Sequence, residues 1–416
     1  MLPKNISILL ILLLGLAKSC HGFISPPLPK SMPSSSRISA ARSPMKLSLD
    51  LAGGMNFQED PIRVPLQPEI VCYGEALIDC IATENAKGWP LEKMLIHEEW
   101  CDYAGGAPTN CACALAKLGT KASLAAMLGA DPEGEELYDV LSCHALNLDL
   151  VQVHNFAPTR RVMVTRDENG DREFAGFKDG MEADEFADCE YSMAPELFQD
   201  SPVRDAQWLV TGTLTLAFES SRKAHGQIMD WATNQGMKLF VDINWRPVFW
   251  KLLETPGGEG LCRQIVRANA ERADVLKMTD EEAEWLLGIP ANEALNDPSK
   301  VKAAFPSVEC VLVTGGEKGA SYAVGADFTG REPGFAAAVE TVETTGAGDA
   351  FNAGFLHKMK SFDFSLPLTA ERKREIAQAV TFACAVGALT TCGDGAIEAQ
   401  PRLKQVEEFL QKNTCK

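Results

Sequence analysis

Asp349 closes the run Glu343-Thr-Thr-Gly-Ala-Gly-Asp349, and small or apolar residues follow it to Phe355. Gly346 and Gly348 permit a tight turn and let a ligand come close to the backbone. A helix starting there offers free amides, which suit an anion. The amides of Ala347, Gly348 and Asp349 could offset charge on a transferred phosphoryl group. Asp349, in the first helical turn, could take a proton from a hydroxyl. For a bare Gly-x-Gly-Asp, an N-capping Asp after a glycine turn would be the plainer reading. The complete run favours chemistry.

Four other clusters are candidates for binding. In Tyr103-Ala-Gly-Gly-Ala-Pro-Thr-Asn110, Gly105 and Gly106 admit close backbone approach, and Asn110 can bond adjacent hydroxyls. A glycine hinge before a helix explains the same letters. In Gly74-Glu-Ala-Leu-Ile-Asp79, Asp79 is expected at a strand end facing the crevice where open α/β sheets bind ligands. A solvated turn aspartate is the alternative. In Val241-Asp-Ile-Asn-Trp-Arg246, alternation puts Asp242, Asn244 and Arg246 on one side of an extended segment. Arg246 could then meet a phosphate, unless it is a salt-bridged loop residue. Val313-Thr-Gly-Gly-Glu-Lys-Gly319 reads as a strand entering a glycine turn, a surface for a nucleotide or simply a hairpin.

These residues need a scaffold, and the pattern around them describes one. Short apolar strands are expected at 70–73, 122–127, 208–210, 239–241, 275–278 and 311–314. Helices are expected at 107–118, 133–145, 220–235, 260–270 and 280–287. Such alternation predicts a doubly wound, mostly parallel α/β sheet covered by helices on both faces. Residues 161–164 and 172–177, joined by Asp167-Glu-Asn-Gly-Asp, read as a hairpin with an Asn-Gly turn. With a third strand at 97–103 they would form a small β lid that excludes water from a transferred group.

The chain has 416 residues, 46% hydrophobic and 23% charged, the balance of a packed globular protein. Its 39 basic and 57 acidic side chains leave a net charge of −18, unsuited to general nucleic-acid or anionic membrane binding. The 13 cysteines form no Cys-x-x-Cys pair, and with six His they offer no zinc cluster. Small buried side chains in a reducing compartment are the expected use.

The N-terminus differs from the rest. Residues 6–17 are an apolar run of signal-peptide length, too short to span a bilayer. Phe23 opens a Ser- and Pro-rich stretch, and the first 49 residues hold six Lys or Arg and no Asp or Glu. The expected division is a signal peptide over 1–22, a transit peptide and linker over 23–68, and one domain over 69–410 with lid strands near 95–104 and 160–178. A signal peptide followed by a Phe-initiated basic segment resembles the bipartite presequences of algae with secondary plastids. Plastid location is therefore expected, with simple secretion as the rival, and no membrane anchor is expected in the mature chain.

The five clusters together resemble the ribokinase-like (PfkB) sugar kinases, and most of all the plant and bacterial fructokinases. The resemblance runs from Ile70 to Leu410. It implies a ribokinase-like fold and ATP-dependent phosphorylation of a sugar hydroxyl, here O6 of fructose. Asp349 is the implied base; Gly346, Ala347 and Gly348 form the implied anion hole, with Arg246 near the phosphates. Asp79, Gly105, Gly106 and Asn110 are the implied sugar contacts. Lys277, Thr279, Thr314, Gly316 and Gly319 fall in the implied nucleotide region. Glu282 matches the acidic position linked to Mg2+ through water. Many members also bind K+ beside the anion hole, which would involve the Glu343-Thr-Thr345 loop, and pair their lids into dimers. Glu343 stands where Asp or Val is commoner. Gly176-Phe-Lys178 replaces an aromatic-Tyr-Arg lid string, and Cys384-Ala-Val-Gly387 is a variant of the adenine-side helix. These departures bear on the sugar more than on the kinase chemistry. Ribose, 2-keto-3-deoxygluconate or a nucleoside are the other acceptors considered. A regulatory or structural fructokinase-like protein of a plastid complex is the non-enzymatic reading.

Overall fold

A computed structural model of the chain describes residues 67–168, 172–193 and 202–414. The presequence expected up to residue 68 therefore lies almost wholly outside the described residues, as does the expected Asn169-Gly170 turn. The strands are β1 (Ile70–Tyr73), β2 (Leu77–Ala82), β3 (Trp100–Gly105), β4 (Ala122–Ala125), β5 (Met127–Gly129), β6 (Leu146–Asn147), β7 (Gln152–His154) and β8 (Arg161–Arg166). They continue as β9 (Arg172–Phe177), β10 (Trp208–Thr211), β11 (Lys238–Asp242), β12 (Val275–Thr279), β13 (Cys310–Thr314), β14 (Ala320–Val324) and β15 (Phe328–Glu332).

Nine strands make the main sheet in the order β15-β14-β13-β12-β11-β10-β1-β4-β6. All neighbours are parallel except those involving β14 and β15, which are antiparallel. Period-2 alternation divides its core. Ile70 and Cys72 join one apolar cluster with Phe351, Phe355 and Ile376, while Val71 and Tyr73 join another with Ile228, Val266 and Ala283. The first cluster is covered by the helices Ala107–Lys117, Ala347–Met359 and Ala370–Thr390, and the second by Glu219–Asn234, Gly258–Ala270 and Asp280–Leu287. The doubly wound expectation is met. No helix among the described residues is long and apolar enough to cross a membrane.

A separate four-stranded sheet in the order β3-β2-β8-β9 forms the expected lid. Here the sequence reading needs four corrections. Asp79 does not end a strand of the main sheet; it lies inside β2, opposite Tyr103 on β3 and Val162 on β8. The third lid strand starts at Trp100, because His97 still belongs to the helix Leu91–His97, which Glu98 closes in a left-handed conformation. The strand expected over 122–127 divides at Ala126. β4 stays in the main sheet, and β5 leaves to pair with β7. The helix expected over 133–145 runs Pro132–Ser142, with Asp131 accepting a bond from the amide of Gly134 at its start.

The lid is pinned where it leaves the body. Arg160, just before β8, donates through Nε and Nη2 to the two oxygens of Asp188 at 2.7 and 2.8 Å. It lies over the rings of Phe177, Phe186, Phe218 and Phe249. Further out, Arg161 reaches Asp102 at 2.5 Å and Glu133 at 3.2 Å, and Lys178 reaches Glu133 at 2.7 Å. Of the cysteines, 11 are described and all are free, eight of them buried, as expected for small core residues.

Candidate active site

Four segments far apart in the chain, holding Asn110, Asn244, Lys277 and Ala396, converge at the start of the Ala347–Met359 helix. Gly346 precedes it with φ 76°, a left-handed conformation natural to glycine. Any Cβ there would stand 2.8 Å from the Cβ of Ala396. The turn is thus specified by both its backbone and its neighbour.

Asp349 follows in the first turn and is 7% exposed. Its Oδ2 accepts from Asn110 Nδ2 at 2.9 Å, and its Oδ1 from Asn244 Nδ2 at 3.4 Å. Burial raises its pKa to about 6; the Asn110 bond and the charges of Lys277 and Arg246 oppose the rise, and Asp242 adds to it. A carboxyl tuned to that range suits a general base. The expected pH profile has the matching sign. kcat/KM should rise with pH, with an acid limb near 6, as Asp349 ionises. A limb near pH 4 in steady-state measurements would show that burial does not tune this group. Stability runs the opposite way. The folded state holds this proton more tightly than the unfolded chain, so stability falls as pH rises from 3.8 towards 6.

Beneath the turn, Lys277 pairs with Asp242 at 3.1 Å. A Cβ on Gly348 would lie 3.5 Å from the Lys277 ammonium, so this charge sits beside the helix amides. Burial alone would depress Lys277; Asp242, Glu282 and Asp349 outweigh it and hold the group above its ordinary pKa. Asn352 Nδ2 donates to Asp242 Oδ2 at 2.6 Å. The site therefore sets helix amides and an ammonium, both suited to an anion, next to a carboxyl that could serve as a base.

Asp79 and Gly105 meet on the lid, where a Cβ on Gly105 would come within 2.4 Å of Asp79 Oδ2. Gly106 has φ 106°, and a Cβ on it would strike the Glu75 carbonyl oxygen at 2.3 Å. Asn110, read as a sugar contact, faces Asp349 directly.

The 242–246 segment corrects a reading. Asn244 adopts φ 38°, so the expected alternation stops after β11. Its side chain turns to Asp349, while Arg246 is exposed and bonds the carbonyl of Trp245 at 3.0 Å.

Several implied nucleotide residues hold local structure. Thr279 caps the Asp280–Leu287 helix, its Oγ1 accepting from the amide of Glu282 at 3.0 Å. Glu282 accepts in return from the Thr279 amide at 2.8 Å, and its other oxygen accepts from the Trp245 amide at 2.8 Å. Thr314 closes β13 and donates to the carbonyl of Met278 at 3.5 Å. Gly316 faces open space, whereas a Cβ on Gly319 would meet the Glu332 carbonyl oxygen at 2.1 Å. The turn at 315–319 is thus left clear by glycine on one side and packed on the other.

Among the described residues no three His, Cys, Asp or Glu side chains gather as a metal cluster. The donor chemistry still fits Mg2+ carried on nucleotide phosphates and water. Each Glu282 oxygen accepts one amide and keeps a second lone pair for a water. Glu343 is buried, and its Oε2 accepts from the Gly395 amide at 3.2 Å, which puts the oxygens of the implied K+ loop beside the 391–395 turn. Asn352 and Glu75 were not singled out from the sequence. Asn352 was detectable, since it lies three residues after Asp349 on the same helical face.

Residues 67–403 match the pfkB family carbohydrate kinases. The chain is similar to fructokinase-2 of Solanum lycopersicum, 31% identical over 82% of this chain and 96% of that one. It is 32% identical to the probable chloroplastic fructokinase-6 of Arabidopsis thaliana, over 91% of this chain and 90% of that one. Among solved structures, the fructokinase of Xylella fastidiosa with bound ATP superposes with a TM-score of 0.68 at 27% identity, covering 83% of this chain and 98% of that one. With the buried Asp349 at a glycine-led helix start and this extent of likeness, the chain belongs to the pfkB family of carbohydrate kinases, phosphotransferases that act on an alcohol group.

Proposed function

We propose that the chain transfers the γ-phosphoryl of ATP to O6 of fructose, giving fructose 6-phosphate. The observation that carries this reading is the contact between Asp349, at the anion-binding helix start, and Asn110, from the segment that follows the lid. The acceptor would lie under the lid against Asp79, Gly105, Gly106 and Asn110. ATP would lie against Thr314, Gly316 and Gly319, near Lys277 and Thr279. Asp349 takes the proton of the attacking hydroxyl. The amides of Ala347, Gly348 and Asp349 and the Lys277 ammonium offset charge on the phosphoryl group in line between the two oxygens. Arg246, exposed at the rim, would meet the nucleotide phosphates on binding. Mg2+ would be held by those phosphates and, through water, by Glu282, and supplies charge neutralisation. K+ would be held by oxygens of the Glu343-Thr-Thr345 loop and strengthens the anion hole electrostatically. Fructokinases among the similar proteins support the acceptor, and the ATP-bound homologue supports the nucleotide.

The first 68 residues are read as a signal peptide followed by a transit peptide, placing the domain in a plastid. Similarity to a relative named chloroplastic supports that address. Pairing of two lids would give a homodimer.

The test is ADP formation by the chain from residue 67 onward, with ATP-Mg and a panel of sugars. Turnover selective for fructose is expected. Preference for ribose, 2-keto-3-deoxygluconate or a nucleoside would replace the acceptor. A folded protein without turnover on any of them would overturn the reading.

A further inference from the structure

Glu75 is a buried carboxylate that the transfer chemistry leaves unused. It lies between β1 and β2, in the segment by which the chain leaves the main sheet for the lid, and is 6% exposed. Its Oε1 accepts from the Ala107 amide at 3.0 Å. Its backbone carbonyl accepts from Thr109 Oγ1 at 2.8 Å, and the same carbonyl oxygen lies where a Cβ on Gly106 would approach to 2.3 Å. One residue thus joins two crossings between body and lid: the way out through Gly74-Glu-Ala76 and the way back through Gly105-Gly-Ala107.

Both crossings carry proposed acceptor contacts. Asp79 lies four residues beyond Glu75 on β2, and Asn110 lies three beyond Ala107 in its helix. Asn110 then bonds Asp349. A shift between the crossings would move Asp79 relative to Asn110 and the base together. The electrostatics place Glu75 in the same neighbourhood. Burial raises its pKa to about 7, two amide bonds oppose the rise, and the charges of Asp188 and Asp349 add to it. Asp188 is the partner of Arg160 at another lid crossing.

We propose that Glu75 is the positioning residue that registers the acceptor-binding lid against Asp349. It rests on the kinase reading above and adds to it a residue that touches neither the reacting oxygen nor the nucleotide. The bond that matters is the one to the Ala107 amide. A glutamine can accept that bond; an alanine leaves the buried amide without a partner.

Two measurements on the full chain test this. Steady-state kinetics with D-fructose and ATP-Mg should show Glu75→Ala raising the KM for fructose about tenfold or more. The KM for ATP should stay within about twofold and kcat should fall less than KM rises, while Glu75→Gln recovers most of the loss. Hydrogen exchange without ligand should show faster exchange in Glu75→Ala at the amides of residues 76–82 and 104–110, but not in the main sheet. An unchanged fructose KM, a Gln variant as impaired as the Ala variant, or exchange raised uniformly through the main sheet would each overturn the inference. If the wild-type chain turns over no sugar, the functional reading fails, and the exchange pattern alone decides the role of Glu75.

Discussion

Asp349→Asn should lower kcat by about 10³–10⁴-fold while leaving a folded protein, the upper part of the range for loss of a positioned general base. The amide keeps the shape of the carboxylate and its one oxygen can still accept from Asn110, but it cannot take a proton from the acceptor. The helix amides and Lys277 remain, so nucleotide binding should survive nearly unchanged. The fold should not suffer. Asp349 is a carboxyl whose ionisation burial disfavours, so its neutral replacement removes a destabilising charge near neutral pH. The experiment is single-turnover phosphorylation alongside thermal unfolding and nucleotide titration. Residual turnover above roughly a tenth of wild type would rule out general-base catalysis of the expected size by Asp349.

The second large effect is on stability and lies away from the chemistry. Replacing Arg160 with Met should destabilise the fold by about 3–5 kcal/mol, the cost of leaving a buried charge without its partner. Arg160 and Asp188 have side chains only 0% and 4% exposed, so water cannot compensate the Asp188 carboxylate. Double replacement, Arg160→Met with Asp188→Leu, should recover much of the loss, because an apolar pair removes the desolvation cost of both ions. Denaturant unfolding of both single variants and the double variant completes the cycle. If Arg160→Met costs under about 1 kcal/mol, the pair does not hold the lid to the body.

How much of this was legible in the chain depends on whether a feature is local. β1, β12 and β13 appear within a residue of where apolar runs predict them, because a strand buried on both faces is mostly apolar, with Lys277 in β12 the paired exception. The glycine-led helix start at Ala347 was equally readable, since a left-handed residue followed by helix is a property of adjacent residues. The division at Ala126 was not. β4 and β5 lie in one run that is apolar but for Ser123, and only their different partners separate them.

By itself, the sequence determined the alternation that winds helices on both faces of a parallel sheet, the glycine-led turn and the carboxylate beside it. Tertiary structure decided which side chains that carboxylate meets. Asn110 and Asp349 are 239 residues apart, and Lys277 and Asp242 are 35 apart on neighbouring strands. It also moved Asp79 from a presumed crevice edge into the lid and bound both oxygens of Glu282 to backbone amides. Periodicity reports which face of an element is buried. It carries no record of strand order or of the partner across the gap, and a carboxylate's pKa and role come from those partners.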